Sequence, residues 1–310
     1  MTSPEELSHA QLRVDQLNQQ FQSASVSFDL GRGSLTRCRV RNRWAEAEIY
    51  LHGAHLTHFR PHDQTSWLWM SPLSEFDAKH PIRGGIPICW PWFGPHNHQP
   101  EFPQHGFART SGWRVRAVLE MEGSTEILLG LTSSPQTAEF LDGEFDARCR
   151  ISLGESLTVE LGVTNTGDRP LVDVGCALHS YFRVSAIENV RLLGLQDRRY
   201  LDKLTGEIAS QSGELIFEKE TDRVYLDGDT PLTLVDRERP MKFGISSTGS
   251  RSTVVWNPWV DKSKRMADFP DDGYREMVCV ETANAWDDVR TIDPGKTHLV
   301  SQTVAQVESP

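Results

Sequence analysis

Two side chains in apolar surroundings could exchange protons with a substrate. His179 stands alone in the mostly apolar segment 175–182, and an imidazole changes its charge near neutral pH, which suits a general acid. Glu281 alternates onto one strand face with Met277 and Cys279, where a carboxylate is costly unless it is paired or lines a cleft. The sequence therefore offers an acid and a base, 102 residues apart. The alternative for His179 alone, and the commoner role, is a structural histidine of the core.

A second group of chemistry-bearing residues occupies segments 83–94 and 104–109, which are dense in Trp, Pro and Gly. The polar members are Arg83, Gln104, His105 and Arg109. Aromatic rings stack on the C–H faces of a pyranose, while its hydroxyls need directed polar partners. These segments predict a sugar site. The alternative is that the aromatic side chains belong to the core and the arginines are solvated.

The histidine and phosphate-loop patterns of the sequence do not indicate a metal or a nucleotide. His52 and His58 share a strand face, whereas His55 points to the other side. Residues 294–297 resemble the end of a phosphate-binding loop, but Arg290 stands where its first glycine is needed. We expect no metal ligands and no cofactor.

Composition limits the partners and the compartment. Among 310 residues, 32 Lys and Arg oppose 43 Asp and Glu, so the net charge is −11. That charge repels nucleic acids and anionic membranes, and no apolar run approaches the roughly 18 residues that span a bilayer. The five dispersed cysteines predict buried free thiols rather than disulfides. We expect a cytoplasmic monomer with no nucleic-acid or membrane partner.

Local patterns also predict the elements that position these residues. Segment 3–21 is typical of a helix, with Ser3 as cap, Pro4 in the first turn and apolar residues at helical spacing. Beyond it the apolar residues alternate with period two, as in 45–51, 113–121 and 145–153, which is typical of half-buried strands.

Turn-forming clusters separate these strands without any regular alternation of strand and helix. The pattern predicts a mainly β protein, a large antiparallel β-sandwich with an N-terminal helix. We expect a helical extension over residues 1–24 and a single catalytic β-sandwich domain over 25–310.

The order of several short motifs resembles that of the hexose-6-phosphate mutarotases, or glucose-6-phosphate 1-epimerases, of the aldose 1-epimerase superfamily. The matching segments are Arg83-Gly84-Gly85-Ile86-Pro87, Trp90-Pro91-Trp92-Phe93-Gly94, His105-Gly106-Phe107-Ala108-Arg109, Leu178-His179-Ser180-Tyr181-Phe182, Thr221-Asp222-Arg223-Val224-Tyr225, Trp256-Asn257-Pro258-Trp259 and Val280-Glu281. They span about residues 30 to 305. The resemblance implies the galactose mutarotase-like sandwich, in agreement with the period-two pattern.

The same resemblance implies roles for individual residues. His179 would be the general acid and Glu281 the general base. The implied substrate contacts are Arg83, Gln104, Arg109 and Asp222, with His105 beside the sugar ring. Asp227 could align in place of Asp222.

The expected activity is an isomerase that interconverts the α and β anomers of a hexose 6-phosphate, with glucose 6-phosphate as the expected substrate. Arginine suits the phosphate because its planar fork binds two oxygens at once. Arg83 and Arg109 are the candidate clamp, and Lys262 and Lys264 could add charge.

Three alternatives stay open at this point. A free-aldose mutarotase would lack the phosphate clamp, and a noncatalytic sugar-binding relative would lack the acid or the base. A glycosidase normally needs two carboxylates, which Asp222 and Glu281 could supply.

Overall fold

The computed structural model describes residues 4–307 except 227, 229, 240 and 241. The expected helix cap Ser3 and the alternative site residue Asp227 therefore lie outside the described residues. The α-helices are α1 (Pro4–Phe21), α2 (Pro135–Ala138) and α3 (Trp259–Ser263). The two short helices were not predicted, because one turn of helix is too short to show a period in the sequence.

Twenty-three strands follow in chain order within the described residues. The first twelve are β1 (Val26–Leu30), β2 (Thr36–Arg41), β3 (Ala45–Tyr50), β4 (His55–Pro61), β5 (Ile88–Cys89), β6 (Arg114–Glu120), β7 (Ser124–Thr132), β8 (Phe145–Gly154), β9 (Leu157–Asn165), β10 (Leu171–Val174), β11 (Cys176–Leu178) and β12 (Tyr181–Arg183). The others are β13 (Val190–Leu193), β14 (Arg199–Asp202), β15 (Ile208–Ser210), β16 (Leu215–Ile216), β17 (Thr221–Tyr225), β18 (Leu232–Asp236), β19 (Lys242–Thr248), β20 (Ser252–Asn257), β21 (Met277–Asn284), β22 (Arg290–Ile292) and β23 (Thr297–Val307).

These strands form four antiparallel sheets. One sheet has nine strands in the order β16-β13-β18-β19-β23-β9-β8-β7-β6, and another has eight, β15-β14-β17-β20-β21-β11-β5 with β12 also paired to β21. A four-stranded sheet runs β1-β2-β3-β4, and β10 pairs with β22. The predicted antiparallel β-sandwich is confirmed.

Strand β21 lies where the two large sheets meet, and all eight of its residues are buried. Gln302 of β23 donates to the Val280 carbonyl at 3.0 Å and to the Thr282 hydroxyl at 3.1 Å. Because side chains alternate along a strand, Thr282 faces the nine-stranded sheet while Cys279 and Glu281 face the opposite way. The face that carries Glu281 is therefore separated from the sandwich interior by the strand itself.

Alternating patterns were reliable in the middle of the sheets and weaker at their margins. Every second residue of β8 is buried from Phe145 onwards, as predicted. The expected half-buried strand over 113–121 forms as β6, but Leu119 and Met121 are largely exposed. Strand β6 ends the nine-stranded sheet, so its far end has less structure to pack against.

The N-terminal helix packs on the first strand. Val14 is buried, and the Asn18 side chain makes two 2.8 Å hydrogen bonds with the backbone of Phe28 in β1. The predicted helix is confirmed, whereas a domain boundary at residue 24 stays a prediction. Among the described residues, no helix is both long and apolar enough to cross a membrane. All five cysteines are buried and free, as predicted.

Candidate active site

The pairing of β11 and β12 with β21 brings His179 to Glu281. Leu178 pairs with Thr282 and Tyr181 with Cys279, and the same register continued across the break sets His179 opposite Glu281. Directly opposed residues of antiparallel strands have Cβ atoms about 4.5–5.5 Å apart. The 102 residues between the two side chains are thus bridged by the sheet register.

The two side chains meet at a buried point. His179 Nδ1 lies 3.4 Å from Glu281 Oε1, and the residues are only 7% and 1% exposed. The approach is close enough for electrostatic interaction, but its geometry is not that of a hydrogen bond. Both His179 Nδ1 and Glu281 Oε2 are without a hydrogen-bond partner within the described part of the chain.

Aromatic rings hold the imidazole in place. The His179 ring stacks on Tyr181 with centroids 4.8 Å apart and planes at 7°, and Trp256 meets it edge-on at 6.1 Å. Stacked rings restrict the rotation of the imidazole, so its nitrogens keep a fixed direction. Tyr181 and Trp256 were part of the sequence motifs, but their contact with His179 was not foreseen.

Burial controls the protonation of the pair. It lowers the pKa of His179 well below the usual range, and the positive charges of Arg109 and Arg83 lower it further. Burial also raises the pKa of Glu281 well above its usual range, opposed by Lys203. Both shifts favour the uncharged imidazole beside the protonated carboxyl group. The pair then holds one titratable proton in total and titrates as a unit.

The Arg83 side chain is fixed by a tight loop and two polar partners. Its Nε donates to Asp268 Oδ2 at 2.9 Å and its Nη1 donates to the Tyr181 hydroxyl at 3.2 Å. The next residue must be glycine, because Gly84 has φ +110° and a Cβ there would lie only 2.6 Å from the Met70 Cα. Asp268 neutralises part of the Arg83 charge, a partner that the sequence did not indicate.

Arg109 comes to the same site from a short 3₁₀ turn, Ala108–Thr110. Its Nη2 donates to the backbone carbonyl of Gln104 at 2.7 Å. Burial lowers the pKa of Arg109, and the neighbouring Arg83 contributes to that shift. Both predicted arginines are near enough for their charges to act on His179. Gln104 is exposed and contacts Arg109 through its backbone carbonyl.

His105 lies beside His179, with ring centroids 5.7 Å apart. Its Nδ1 accepts a hydrogen bond from the Gly94 amide at 3.2 Å, so the neutral ring carries its proton on Nε2. Burial lowers the pKa of His105 well below the usual range, and Arg109 adds to the effect. The Phe93 ring packs edge-on against it at 4.8 Å.

Asp222 forms ion pairs with two lysines, and its charge and that of Lys203 both act on Glu281. Its Oδ1 lies 3.5 Å from Lys203 Nζ and its Oδ2 lies 3.6 Å from Lys262 Nζ. Lys203 stands opposite Asp222 because β14 and β17 pair, and its amide donates to the Asp222 carbonyl. Of the two lysines named from sequence, Lys262 is at the site and Lys264 is exposed. Lys203 was missed, because nothing local distinguishes it from a surface lysine.

The remaining candidates are structural. Trp90 is fully buried and packs edge-on against Phe107 and Phe145, so the core interpretation is correct for this ring. His55 Nε2 lies 2.7 Å from the Gly84 carbonyl, which supports the loop that carries Arg83. This agrees with a structural role for the His52–His58 segment.

Comparison with known proteins identifies the family. A family model described as aldose 1-epimerase matches residues 37–305. The chain belongs to the aldose 1-epimerase family. A relative from Cenchrus ciliaris, named as a candidate glucose-6-phosphate 1-epimerase, is 36% identical over 81% of this chain and 78% of its own length. A relative of the same name from Escherichia coli K12 is 34% identical over 82% and 85%.

Solved structures agree with this membership. The crystal structure of a candidate mutarotase from Salmonella typhimurium is 31% identical, superimposes with a TM-score of 0.86, and the match covers 93% of this chain and 96% of that one. Galactose 1-epimerase from Lactobacillus acidophilus is 14% identical with a TM-score of 0.71 over 93% and 100%, a likeness of fold alone. As a member of the aldose 1-epimerase family the protein is an isomerase, and the expected galactose mutarotase-like fold is confirmed.

Proposed function

We propose that this protein interconverts the α and β anomers of a hexose 6-phosphate, with glucose 6-phosphate as the foremost candidate. The observation that carries the proposal is the buried His179–Glu281 contact of 3.4 Å, near two arginines whose charges act on His179. The names of the curated relatives support the phosphorylated substrate. His179 is the general acid, Glu281 the general base, and no cofactor takes part.

The chemistry requires two coordinated proton transfers. Opening a cyclic hemiacetal removes the proton of the anomeric hydroxyl and adds a proton to the ring oxygen. Glu281 takes the first proton while His179 gives the second, so the C1–O5 bond breaks and a free aldehyde forms. The pair begins as imidazolium and carboxylate and ends as imidazole and carboxylic acid.

Rotation about C1–C2 then presents the other face of the aldehyde. Closure returns the proton from Glu281 to the anomeric oxygen and moves the proton of O5 back to His179, which gives the other anomer. Both protonation patterns contain one proton and have the same net charge. Burial favours the imidazole and carboxylic acid form. The imidazolium and carboxylate form needed for ring opening arises by transfer of the same proton within the pair, so the net charge of the site does not change.

The positive groups around the pair bind the substrate. Arg83 and Arg109 take the phosphate as a two-sided clamp, and Asp222, with Lys203 and Lys262 beside it, binds sugar hydroxyls. His105 offers its Nε2–H to the ring substituents. Phe93 and Trp256 supply apolar surface to the C–H faces of the ring.

The setting of the enzyme is also a proposal. We place it in the cytoplasm as a monomer of carbohydrate metabolism that binds neither nucleic acid nor membrane. Five free, buried thiols support a reducing compartment, and the net charge of −11 supports the absence of polyanionic partners.

Exchange NMR or polarimetry with freshly dissolved α-glucose 6-phosphate tests the proposal against free glucose. We expect anomer interconversion well above the spontaneous rate, with a clear preference for the phosphorylated sugar. Equal turnover of both sugars would favour a free-aldose mutarotase instead. The Arg83–Asp268 ion pair is also compatible with that alternative, because Asp268 already neutralises part of the Arg83 charge. No acceleration of either sugar would support a noncatalytic binding protein, and hydrolysis of aryl glycosides would support a glycosidase.

A further inference from the structure

A third side chain with metal-binding chemistry faces the acid and base pair. Cys279 lies two residues before Glu281 on the same face of β21. One ligand atom each from His179, Cys279 and Glu281 lies within 4.8 Å of the others. The sequence spacing indicated no such cluster, because His179 reaches it only through the sheet register. The proposed proton transfers do not involve the Cys279 thiol.

The spacing of these atoms suits a tetrahedral ion. Zinc bonds of about 2.0–2.3 Å to N, O and S set neighbouring ligand atoms about 3.3–3.7 Å apart in a tetrahedron. His179 Nδ1 and Glu281 Oε1 are already separated by 3.4 Å. The ligand atoms of the three residues all lie within 4.8 Å of one another.

The site also contains buried ligand atoms that nothing in the described residues satisfies. His179 Nδ1 and Glu281 Oε2 are both of this kind, in residues that are 7% and 1% exposed. Buried polar atoms of native proteins normally have partners. A cation bound between them would supply one.

Charge balance removes the main objection to placing a divalent ion in a buried cluster. The His179–Glu281 pair holds one proton, and the Cys279 thiol holds another, as an ordinary thiol does at neutral pH. Binding of one divalent cation displaces both protons to the buffer. The charge of the cluster is therefore the same before and after, so no net charge is added to the buried region.

We propose that His179, Cys279 and Glu281 form an inhibitory binding site for a thiophilic divalent cation, with Zn²⁺ as the fitting ion. Imidazole, thiolate and carboxylate together are a zinc ligand set. The bound ion occupies the nitrogen and the oxygens that move protons, so metal and sugar compete for the same groups. The binding stands on its own geometry, whereas the inhibition rests on the proposed function.

The chain provides a matched control site. Glu75, Asp77 and His80 also bring three ligand atoms within 4.8 Å, but on the exposed surface and without sulfur. His80 Nδ1 already lies 2.8 Å from Asp77 Oδ2 and 2.9 Å from Glu75 Oε2. A His80→Gln variant removes this surface group and leaves the buried cluster intact.

Cobalt titration followed by absorbance tests the binding without reference to activity. We expect wild type and His80→Gln to bind one Co²⁺ with a thiolate-to-cobalt charge-transfer band that excess Zn²⁺ abolishes. Cys279→Ser, and Cys279→Ala as a second variant, should lose that band and weaken Zn²⁺ binding in calorimetry at least about tenfold. Thermal unfolding verifies that each variant is folded. A wild type without the band, or a Cys279→Ser protein with unchanged zinc affinity, overturns the proposal.

A kinetic arm tests the inhibition with α-glucose 6-phosphate. We expect Zn²⁺ to inhibit wild type competitively, and EDTA to restore full activity. Cys279→Ser should keep its basal turnover and need at least about tenfold more Zn²⁺ for the same inhibition. Equal sensitivity of the two proteins overturns the assignment. If no anomer interconversion occurs at all, the proposed function fails, while the cobalt titration still decides the metal site.

EDTA alone should leave the activity of the purified enzyme unchanged, because the mechanism needs no metal. Activity lost on chelation and regained with a divalent ion would make the metal a requirement, and would overturn its inhibitory role.

Discussion

The two faces of β21 differ in whether their buried polar groups have hydrogen-bond partners. Toward the nine-stranded sheet, Gln302 donates to Val280 and Thr282 and accepts from the Ser180 hydroxyl at 2.5 Å. On the opposite face, the site face, His179 and Glu281 lie 3.4 Å apart, and each contains an atom without a partner among the described residues. Strand β21 therefore separates a saturated network, in which the buried polar groups are hydrogen-bonded, from an unsaturated one, in which some polar atoms have no partner.

The difference indicates which network serves stability and which serves chemistry. A hydrogen-bonded buried group adds to stability, whereas an unsatisfied one costs free energy in the folded state. On the site face, the proposed substrate would supply the missing partners. The two networks also meet, since Ser180 follows His179 directly. The hydrogen bond between Ser180 and Gln302 therefore helps to fix the position of His179, the proposed acid.

The largest expected effect is the loss of activity on substituting His179 or Glu281 on the site face. His179→Asn and Glu281→Gln should each lower anomer interconversion by about 10²–10⁴-fold, because each removes one of the two proton-transfer groups. Exchange NMR measures the rate. Both variants should keep the unfolding temperature of the wild type within a few degrees, because neither removes a hydrogen bond that the fold uses. Near-normal turnover by either variant would show that its assigned role is wrong.

The next effect concerns the charges around that face. Arg83→Met and Arg109→Met should weaken binding of hexose 6-phosphate by about ten- to a hundredfold, since charge-assisted bonds contribute roughly 1.5–3 kcal/mol. Arg83→Met should be the stronger, because it also leaves Asp268 without its partner. KM values for glucose 6-phosphate and glucose measure the difference, and free glucose should be affected much less.

Arg148→Met is the matched control for the clamp, because Arg148 is an exposed arginine that pairs with Asp146. It should change neither KM. The clamp effect should also weaken as salt rises if the phosphate stays partly exposed. An equal loss for both sugars in Arg83→Met and Arg109→Met would place these side chains at the ring hydroxyls or in a structural role.

Substitution of Gln302, on the face toward the nine-stranded sheet, should lower the stability of the protein. Gln302→Leu removes three hydrogen bonds, to the Ser180 and Thr282 hydroxyls and to the Val280 carbonyl, so we expect the free energy of unfolding to fall on the order of 3 kcal/mol. Denaturant unfolding measures it. Gln306→Leu, at an exposed position of the same strand, should change it by less than about 0.5 kcal/mol. If Gln302→Leu were as stable as the control while losing all activity, the division between the two faces would be false.

The smallest expected effect is that of pH. Protonating His179 further is opposed by burial and by Arg109 and Arg83, and removing the proton from the pair is opposed by burial of Glu281. The active one-proton form should therefore persist well below the ordinary imidazole pKa of about 6.5. We expect kcat/KM to change less than about twofold between about pH 6 and 8. Free glucose is the control substrate, because a sugar phosphate itself titrates near about pH 6.

An acid limb centred at or above about pH 6.5 with free glucose would contradict that expectation. It would mean that His179 titrates as an ordinary exposed imidazole, and that water reaches the site face more readily than the burial of His179 indicates.

Much of the fold followed from local sequence. The helix over 3–21 and the alternating strands were predictable because amphipathic periods report one buried side of an element. The exposed end of β6 was not, since the pattern cannot tell an edge strand from a central one. The short helix α3, which carries Lys262, was missed because it has too few residues for a period.

The sequence by itself determined the chemical types of the site: one histidine in an apolar strand, one inward carboxylate and two arginines in glycine-rich and aromatic segments. Only the tertiary structure decided which of them meet. The His179–Glu281 contact, the Lys203–Asp222 pair and the approach of Cys279 all depend on strand register, which joins residues far apart in the chain. Local periodicity fixes which face a side chain takes, but the partner across the sheet is set by the packing of the whole chain.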